Sequence, residues 1–183
     1  MTGKPGILEN LNTRDLADCH LQGTEETIPL FSQVLSLCRG RQPLILELKS
    51  HGGNAEALTQ AVCRQLEGYC GPFCLESFDP RCLLWLRRNR PELIRGQLAE
   101  NFLQDRHSSV PWLLRFAASF HLESFLTRPD FIAHRFRDRK TLSNFLIRRL
   151  WGIRGITWTV DTPEDLQTAE KEGWIPIFER IRP

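Results

Sequence analysis

The chain has 183 residues, of which 41% are hydrophobic and 25% charged, and its formal net charge is +2. A chain of this size and composition can bury a substantial core, so we predict one folded domain over residues 1–183 rather than a disordered segment. The balanced charge argues against a nucleic-acid-binding protein, because such domains usually present a strongly basic face.

The cysteines and the start of the chain indicate a reducing, aqueous environment. The six cysteines are irregularly spaced and form no CxxC pair, so we expect reduced, half-buried thiols rather than zinc ligands. No segment approaches the roughly 20 uncharged residues that span a bilayer, and residues 1–10 contain no apolar run. A cytoplasmic protein without a transmembrane segment is predicted.

The first half of the chain predicts helices and strands in alternation. Near-helical spacing of apolar residues predicts a helix over 30–38, and the apolar run 44–49 after Pro43 is typical of a buried parallel strand. A helix over 54–66 follows, and then a strand over 72–78. Asp79-Pro80 opens the next helix, since a capping residue before a proline is typical of a helix start.

The second half of the chain continues the alternation. Strands are predicted over 93–98, 129–134, 155–160 and 174–181, with helices over 111–120, over 141–150 and from Thr162. This order predicts an α/β protein with a parallel sheet and crossover helices. An open doubly wound sheet and a barrel both satisfy it, but neither GxGxxG nor GxxxxGK[ST] follows any of these strands.

One charged pair stands out at the end of the first strand. Period-2 alternation places Ile45, Glu47 and Lys49 on one face of the strand. In a barrel the carboxyl end of a strand is where active sites are built, and there a carboxylate suits a divalent cation and an ammonium suits a phosphate. The alternative is a structural ion pair.

Three further segments are candidates for a substrate surface. Ser77 and Phe78 end the next strand and could line the mouth of a site, whereas Asp79 is expected to be a helix cap. Trp158 could cover a ligand or fill the core, and the residue type alone favours core filling. Residues 134–140 are basic and are interpreted as a solvated loop rather than an anion-binding patch.

The order of five segments resembles the glycerophosphodiester phosphodiesterase family. Residues 28–30 before an apolar helix resemble its "IPTLEEVL" segment, 43–49 its "LxIEIK" strand, and 76–80 its "xSFDP" motif. Residues 156–160 match "xxWTV", and 177–183 resemble the final "xxTDxP" strand in a variant form. The resemblance covers most of the chain, in order.

The resemblance implies a (β/α)8 TIM-type barrel that hydrolyses glycerophosphodiesters to an alcohol and glycerol phosphate in phospholipid metabolism. It implies Ca²⁺ or Mg²⁺ as cofactor and a small glycerophosphodiester as substrate. By position Glu47 would be a metal ligand and Lys49 would bind the phosphate. Trp158, with Ser77 and Phe78, would form the substrate wall.

The family's "HRG", "ExD" and "HD" segments have no counterpart before Glu47. The resemblance therefore implies an incomplete barrel that lacks about its first two strands, and it leaves no catalytic residue to assign, because the family's histidine pair is absent. We expect an incomplete copy, inactive alone, from a truncated product or a misplaced start codon. The alternative is an inactive barrel remnant that binds phosphate esters, or that joins a completing chain or itself through open sheet edges near Pro43 and Pro176.

Overall fold

The computed structural model describes residues 2–3, 10–101, 112–113 and 119–181. The chain divides into two compact units, Met1–Gln42 with Gln65–Gly71, and Pro43–Arg64 with Pro72–Pro183. Within the described ranges, none of the helices has the length and apolar character needed to cross a membrane.

The first unit contains helices α1 (Thr13–Ala17) and α2 (Phe31–Cys38). Helix α2 confirms the helix predicted over 30–38, and it ends where Arg39 and Gly40 both adopt positive φ. Glycine suits position 40, because φ is 71° there and a Cβ would approach the backbone nitrogen of Gly71 to 3.2 Å.

The described residues of the second unit form a sheet of six parallel strands. Their spatial order is the order of the chain, and every neighbouring pair is parallel. The strands are β1 (Leu44–Glu47), β2 (Phe73–Ser77), β3 (Arg95–Ala99), β4 (Phe131–Arg135), β5 (Arg154–Val160) and β6 (Ile175–Phe178).

This strand order decides between the two architectures that the sequence left open. A doubly wound sheet reverses its strand order at a switch point, whereas the strands of a (β/α) barrel follow one another around the barrel axis in chain order. The order here does not reverse, and the sheet curls as a half-barrel that is consistent with an incomplete TIM-type barrel. Among the described strands, β1 and β6 are the two sheet edges, as predicted near Pro43 and Pro176.

Helices connect the strands. Those that the structure describes after β1 are α3 (Ala55–Leu66), α4 (Pro80–Asn89), α5 (Ser124–Thr127), α6 (Leu142–Trp151), α7 (Pro163–Lys171) and a 3-10 helix (Phe136–Asp138). The predicted caps are confirmed, since the side chain of Asp79 accepts from the Arg81 amide and that of Thr162 from the Asp165 amide. Most of the helix predicted over 111–120 lies outside the described residues.

The two faces of the sheet differ in what they bury. The concave face carries an apolar layer of Leu98, Phe131, Ala133 and Ile156, against which Trp158 packs. On the opposite face Ile132 and Ala99 pack with Ile147 of α6. The apolar layer fills the sheet interior below the carboxyl ends of the strands and so supports the surface where those strands end.

Two buried histidines contact each other on the face of β4 opposite the apolar layer. The rings of His121 and His134 lie 5.6 Å apart between centroids, and both residues are buried. Burial, with a smaller contribution from the charge of His134, lowers the pKa of His121 to about 4. Burial also lowers the pKa of His134. The folded chain therefore holds the His121 imidazole neutral in a pH range where the unfolded chain protonates it.

This depressed pKa gives a pH-dependent stability. Between about pH 6.5 and about pH 4 the unfolded chain binds a proton that the folded chain excludes, so His121 should cost up to about 3 kcal/mol of folding free energy as the pH falls. We expect His121→Asn to flatten this decline, because asparagine does not titrate and tolerates the φ of 56° at this position. Urea unfolding of both proteins at about pH 7 and about pH 4.5 measures the difference.

A neighbouring carboxyl group has the opposite effect and needs its own control. Burial raises the pKa of Glu123 to about 7, so its contribution to stability grows as the pH falls through that value. The variant Glu123→Gln removes this contribution alone. If His121→Asn and the parent chain lose equal stability between the two pH values in the Glu123→Gln background, the prediction is wrong.

Candidate functional site

Two carboxylates lie side by side at the carboxyl ends of β1 and β2. Glu47 and Glu76 are register partners on adjacent parallel strands, so their side chains project from the same face of the sheet. The Lys49 ammonium lies 3.0 Å from Glu47 Oε2. The predicted pair, Glu47 and Lys49, is therefore in contact in the structure. Glu76 lies beside Glu47, and the sequence predicted no role for it.

Glu76 is the more deeply buried of the two carboxylates. It is 5% exposed, and its Oε2 atom has no hydrogen-bond partner among the residues that the structure describes. Burial, and then the charge of Glu47, raise the pKa of Glu76 to about 7. A buried, unpaired carboxylate oxygen is costly, so this position favours a positively charged partner.

Aromatic side chains border the same surface. The rings of Phe78 and Trp158 meet edge to face, with centroids 5.7 Å apart. The indole Nε1 of Trp158 donates to the carbonyl of Ala133 at 2.9 Å, which fixes the ring orientation. Two of the three residues predicted to form a substrate wall, Phe78 and Trp158, are therefore in contact, and Trp158 also packs on the apolar layer.

Ser77 does not belong to this surface. It is fully buried, its hydroxyl donates to the Leu48 carbonyl at 2.6 Å, and it accepts from the Asp79 amide at 3.0 Å. Strand alternation directs it away from the face of Glu76. Ser77 ties the end of β1 to that of β2, and Asp79 caps α4 as the sequence predicted.

An ion pair that the sequence did not predict stands beside the aromatic wall. The Arg135 guanidinium lies 2.9 Å from Glu100 Oε2, and Arg135 is the register partner of Trp158. The interpretation of residues 134–140 as a solvated loop is wrong for its first part. His134 and Arg135 end β4, and Phe136 begins the 3-10 helix and is buried in a cluster with Val160, Ala169 and Trp174.

The donor set at this surface suits a hard cation but supplies only part of a coordination shell. Carboxylate oxygens suit Ca²⁺ and Mg²⁺, and Ca²⁺ takes about six to eight oxygen ligands. Within the described ranges no group of three or more His, Cys, Asp or Glu residues could hold a metal ion. The unpaired Glu76 oxygen next to Glu47 is the observation that fits a cation here.

The comparison with known proteins rests on structure. No protein-family model matches the sequence, and none of the curated protein sequences matches it. Among solved structures, a glycerophosphodiester phosphodiesterase from Parabacteroides distasonis is similar over 91% of this chain and 66% of its own, with a TM-score of 0.69 and 17% identity. The chain has the fold of the glycerophosphodiester phosphodiesterases.

Two other solved structures agree. An Oleispira antarctica phosphodiesterase in complex with the product sn-glycerol-3-phosphate is similar over 83% of this chain and 57% of its own, with a TM-score of 0.64 and 17% identity. A Silicibacter pomeroyi protein assigned as a glycerophosphoryl diester phosphodiesterase is similar over 83% of this chain and 53% of its own, at 24% identity and a TM-score of 0.62. The chain spans less than two thirds of each of these three proteins.

Proposed function

We propose that the chain carries part of the active site of a phosphoric diester hydrolase that converts a glycerophosphodiester and water to an alcohol and glycerol phosphate. The observation that carries the proposal is the position of Glu47 and Lys49 at the carboxyl end of β1, in a half-barrel with the fold of the glycerophosphodiester phosphodiesterases. In barrel enzymes this end of the strands forms the active site.

Four residues of the surface have a role in this proposal. Glu47 would hold Ca²⁺ or Mg²⁺, which when bound supplies charge stabilisation to the phosphate. The Lys49 side chain is 78% exposed, so it can leave Glu47 and donate to a phosphate oxygen. Phe78 and Trp158 would pack against the apolar part of the substrate. The sn-glycerol-3-phosphate bound by the Oleispira phosphodiesterase supports a substrate of this class.

The resemblance implies that a histidine pair and two carboxylates precede β1 in the complete site. We propose that the chain by itself binds the glycerol phosphate group and that hydrolysis requires those residues. The proposal therefore separates binding, which the described residues can provide, from turnover.

Binding tests the proposal directly. We expect the chain to bind sn-glycerol-3-phosphate in calorimetric titration with CaCl₂ present, and Lys49→Ala to weaken that binding about ten-fold, the size of a lost charge-assisted hydrogen bond. Lys171→Ala, at the end of α7, is the matched control and should bind as the parent does. Equal binding by Lys49→Ala and the parent would contradict the role of Lys49.

Turnover tests whether hydrolysis requires the residues that the resemblance places before β1. Glycerophosphocholine is incubated with the chain and CaCl₂ or MgCl₂, and released glycerol phosphate is measured. No release by this chain agrees with the proposal. Release by the parent that Glu47→Ala abolishes would overturn the requirement for the histidine pair and would exclude the inactive remnant.

A second candidate function, assembly with a completing chain or with another copy, is favoured by the exposed apolar edges. Ile45 on β1 and Ile175 on β6 are 49% and 46% exposed. Both line an open cavity of about 350 Å³ that also contacts Cys74, Phe131 and Ile156. Exposed edges and apolar surface of this kind favour pairing with further strands, and sedimentation of the purified chain measures it.

A further inference from the structure

We propose that Glu76 is a second carboxylate ligand of the divalent cation, alongside Glu47. The inference rests on the proposed function only for the presence of a cation at the carboxyl end of β1. It concerns a residue that lies outside the charged pair singled out by the sequence, and it assigns that residue a binding role of its own.

The first support is geometric. Glu47 and Glu76 are paired in register on neighbouring strands, and adjacent strands lie about 4.8 Å apart. Residues paired in this way on parallel strands point to the same side of the sheet. The two carboxylates are therefore placed on one face, at a spacing that one cation can bridge.

The second support is independent of the pairing. Glu76 is 95% buried, and its Oε2 atom has no hydrogen-bond partner in the described part of the chain. Leaving such an oxygen unpaired costs about 1–3 kcal/mol, more if it is charged. The Lys49 ammonium pairs with Glu47, so the unpaired buried oxygen of Glu76 is the one that a cation would satisfy.

The neighbouring side chains favour a hard cation over a soft one. The two side chains paired at the strand ends, Glu47 and Glu76, both offer carboxylate oxygens. Carboxylate oxygens alone suit Ca²⁺ or Mg²⁺.

Calorimetric titration of the chain with CaCl₂ alone tests the inference, and MgCl₂ is titrated in parallel. We expect Glu76→Gln to weaken Ca²⁺ binding at least about ten-fold, and Glu47→Gln to do the same, because each removes an anionic ligand. Glu76→Asp keeps the charge but withdraws the carboxylate by one methylene, so it should also lose affinity. Glu170→Gln, an exposed glutamate of α7, is the matched control and should bind as the parent.

The outcomes separate this inference from the proposed function. Parent-like Ca²⁺ binding by Glu76→Gln, or no Ca²⁺ binding by the parent, overturns the role of Glu76. Loss of Ca²⁺ binding in both Glu76→Gln and Glu76→Asp, with circular dichroism and thermal unfolding that show folded chains, supports it even if no glycerol phosphate is bound. Loss of Ca²⁺ binding in Glu76→Gln but not in Glu76→Asp assigns the effect to charge and overturns direct ligation.

Discussion

Replacing Gly96 with alanine is expected to destabilise the chain by about 3 kcal/mol, as overpacking of a rigid core does. Gly96 on β3 and Phe131 on β4 are register partners on the concave face. A Cβ at position 96 would overlap the ring of Phe131, which belongs to the apolar layer below the carboxylates. A phenyl ring held in a packed layer cannot move aside without a large cost in free energy, so β3 and β4 must separate. Urea unfolding at neutral pH measures the loss.

A rescue variant makes this prediction specific. Phe131→Ala alone should destabilise the chain by about 3–5 kcal/mol through cavity formation. In that background Gly96→Ala should cost less than about 1 kcal/mol, because the added methyl meets space and alanine is the better strand residue. If Gly96→Ala costs the same with and without the phenyl ring, the clash is not the cause.

Arg95→Met is expected to cost about 3–5 kcal/mol, the range for breaking a buried charged network. The Arg95 side chain is 10% exposed, and its guanidinium lies 3.9 Å from Asp130 Oδ2. It also donates to the carbonyls of Pro91, Leu93, Thr127 and Arg128. Methionine fills a similar volume but leaves these acceptors without their donor, so the segments before β3 and β4 lose their link.

Arg88→Met is the matched control for the loss of a positive charge. Arg88 is exposed on α4, so its replacement should change the free energy of unfolding by no more than about 0.5 kcal/mol. Arg95→Lys tests geometry, since an ammonium cannot reach four carbonyls at once and should restore only part of the stability. An Arg95→Met variant as stable as Arg88→Met would show that the network does not contribute.

The elements that could be predicted from the sequence are those specified by local signals. Apolar runs marked β1 and β2, and a capping residue followed by proline marked the starts of α4 and α7, so their approximate bounds are confirmed. The predicted ends of strands, which depend on pairing with a neighbouring strand, were less accurate. The strand predicted over 44–49 ends at Glu47, and the strand predicted over 129–134 runs from Phe131 to Arg135.

The sequence predicted only those residues of the candidate site that are close to each other within one segment of the chain. Glu47 and Lys49 lie two positions apart in one predicted strand, so alternation alone paired them. Glu76 was missed because its relation to Glu47 depends on the register between β1 and β2, which a single sequence does not state. Arg135 was missed for the same reason, since its basic neighbours resemble a solvated loop until β4 is placed beside β5.

Glu47 lies on β1, which among the described strands pairs only with β2. A strand that adds to the open side of β1 would place its own side chains about 5 Å from Glu47. Cation binding and strand addition would then share one free energy of coupling. Any factor by which Ca²⁺ tightens closure of the sheet must equal the factor by which closure tightens Ca²⁺ binding. The open side of β1 would thus couple the addition of a strand to cation binding at Glu47.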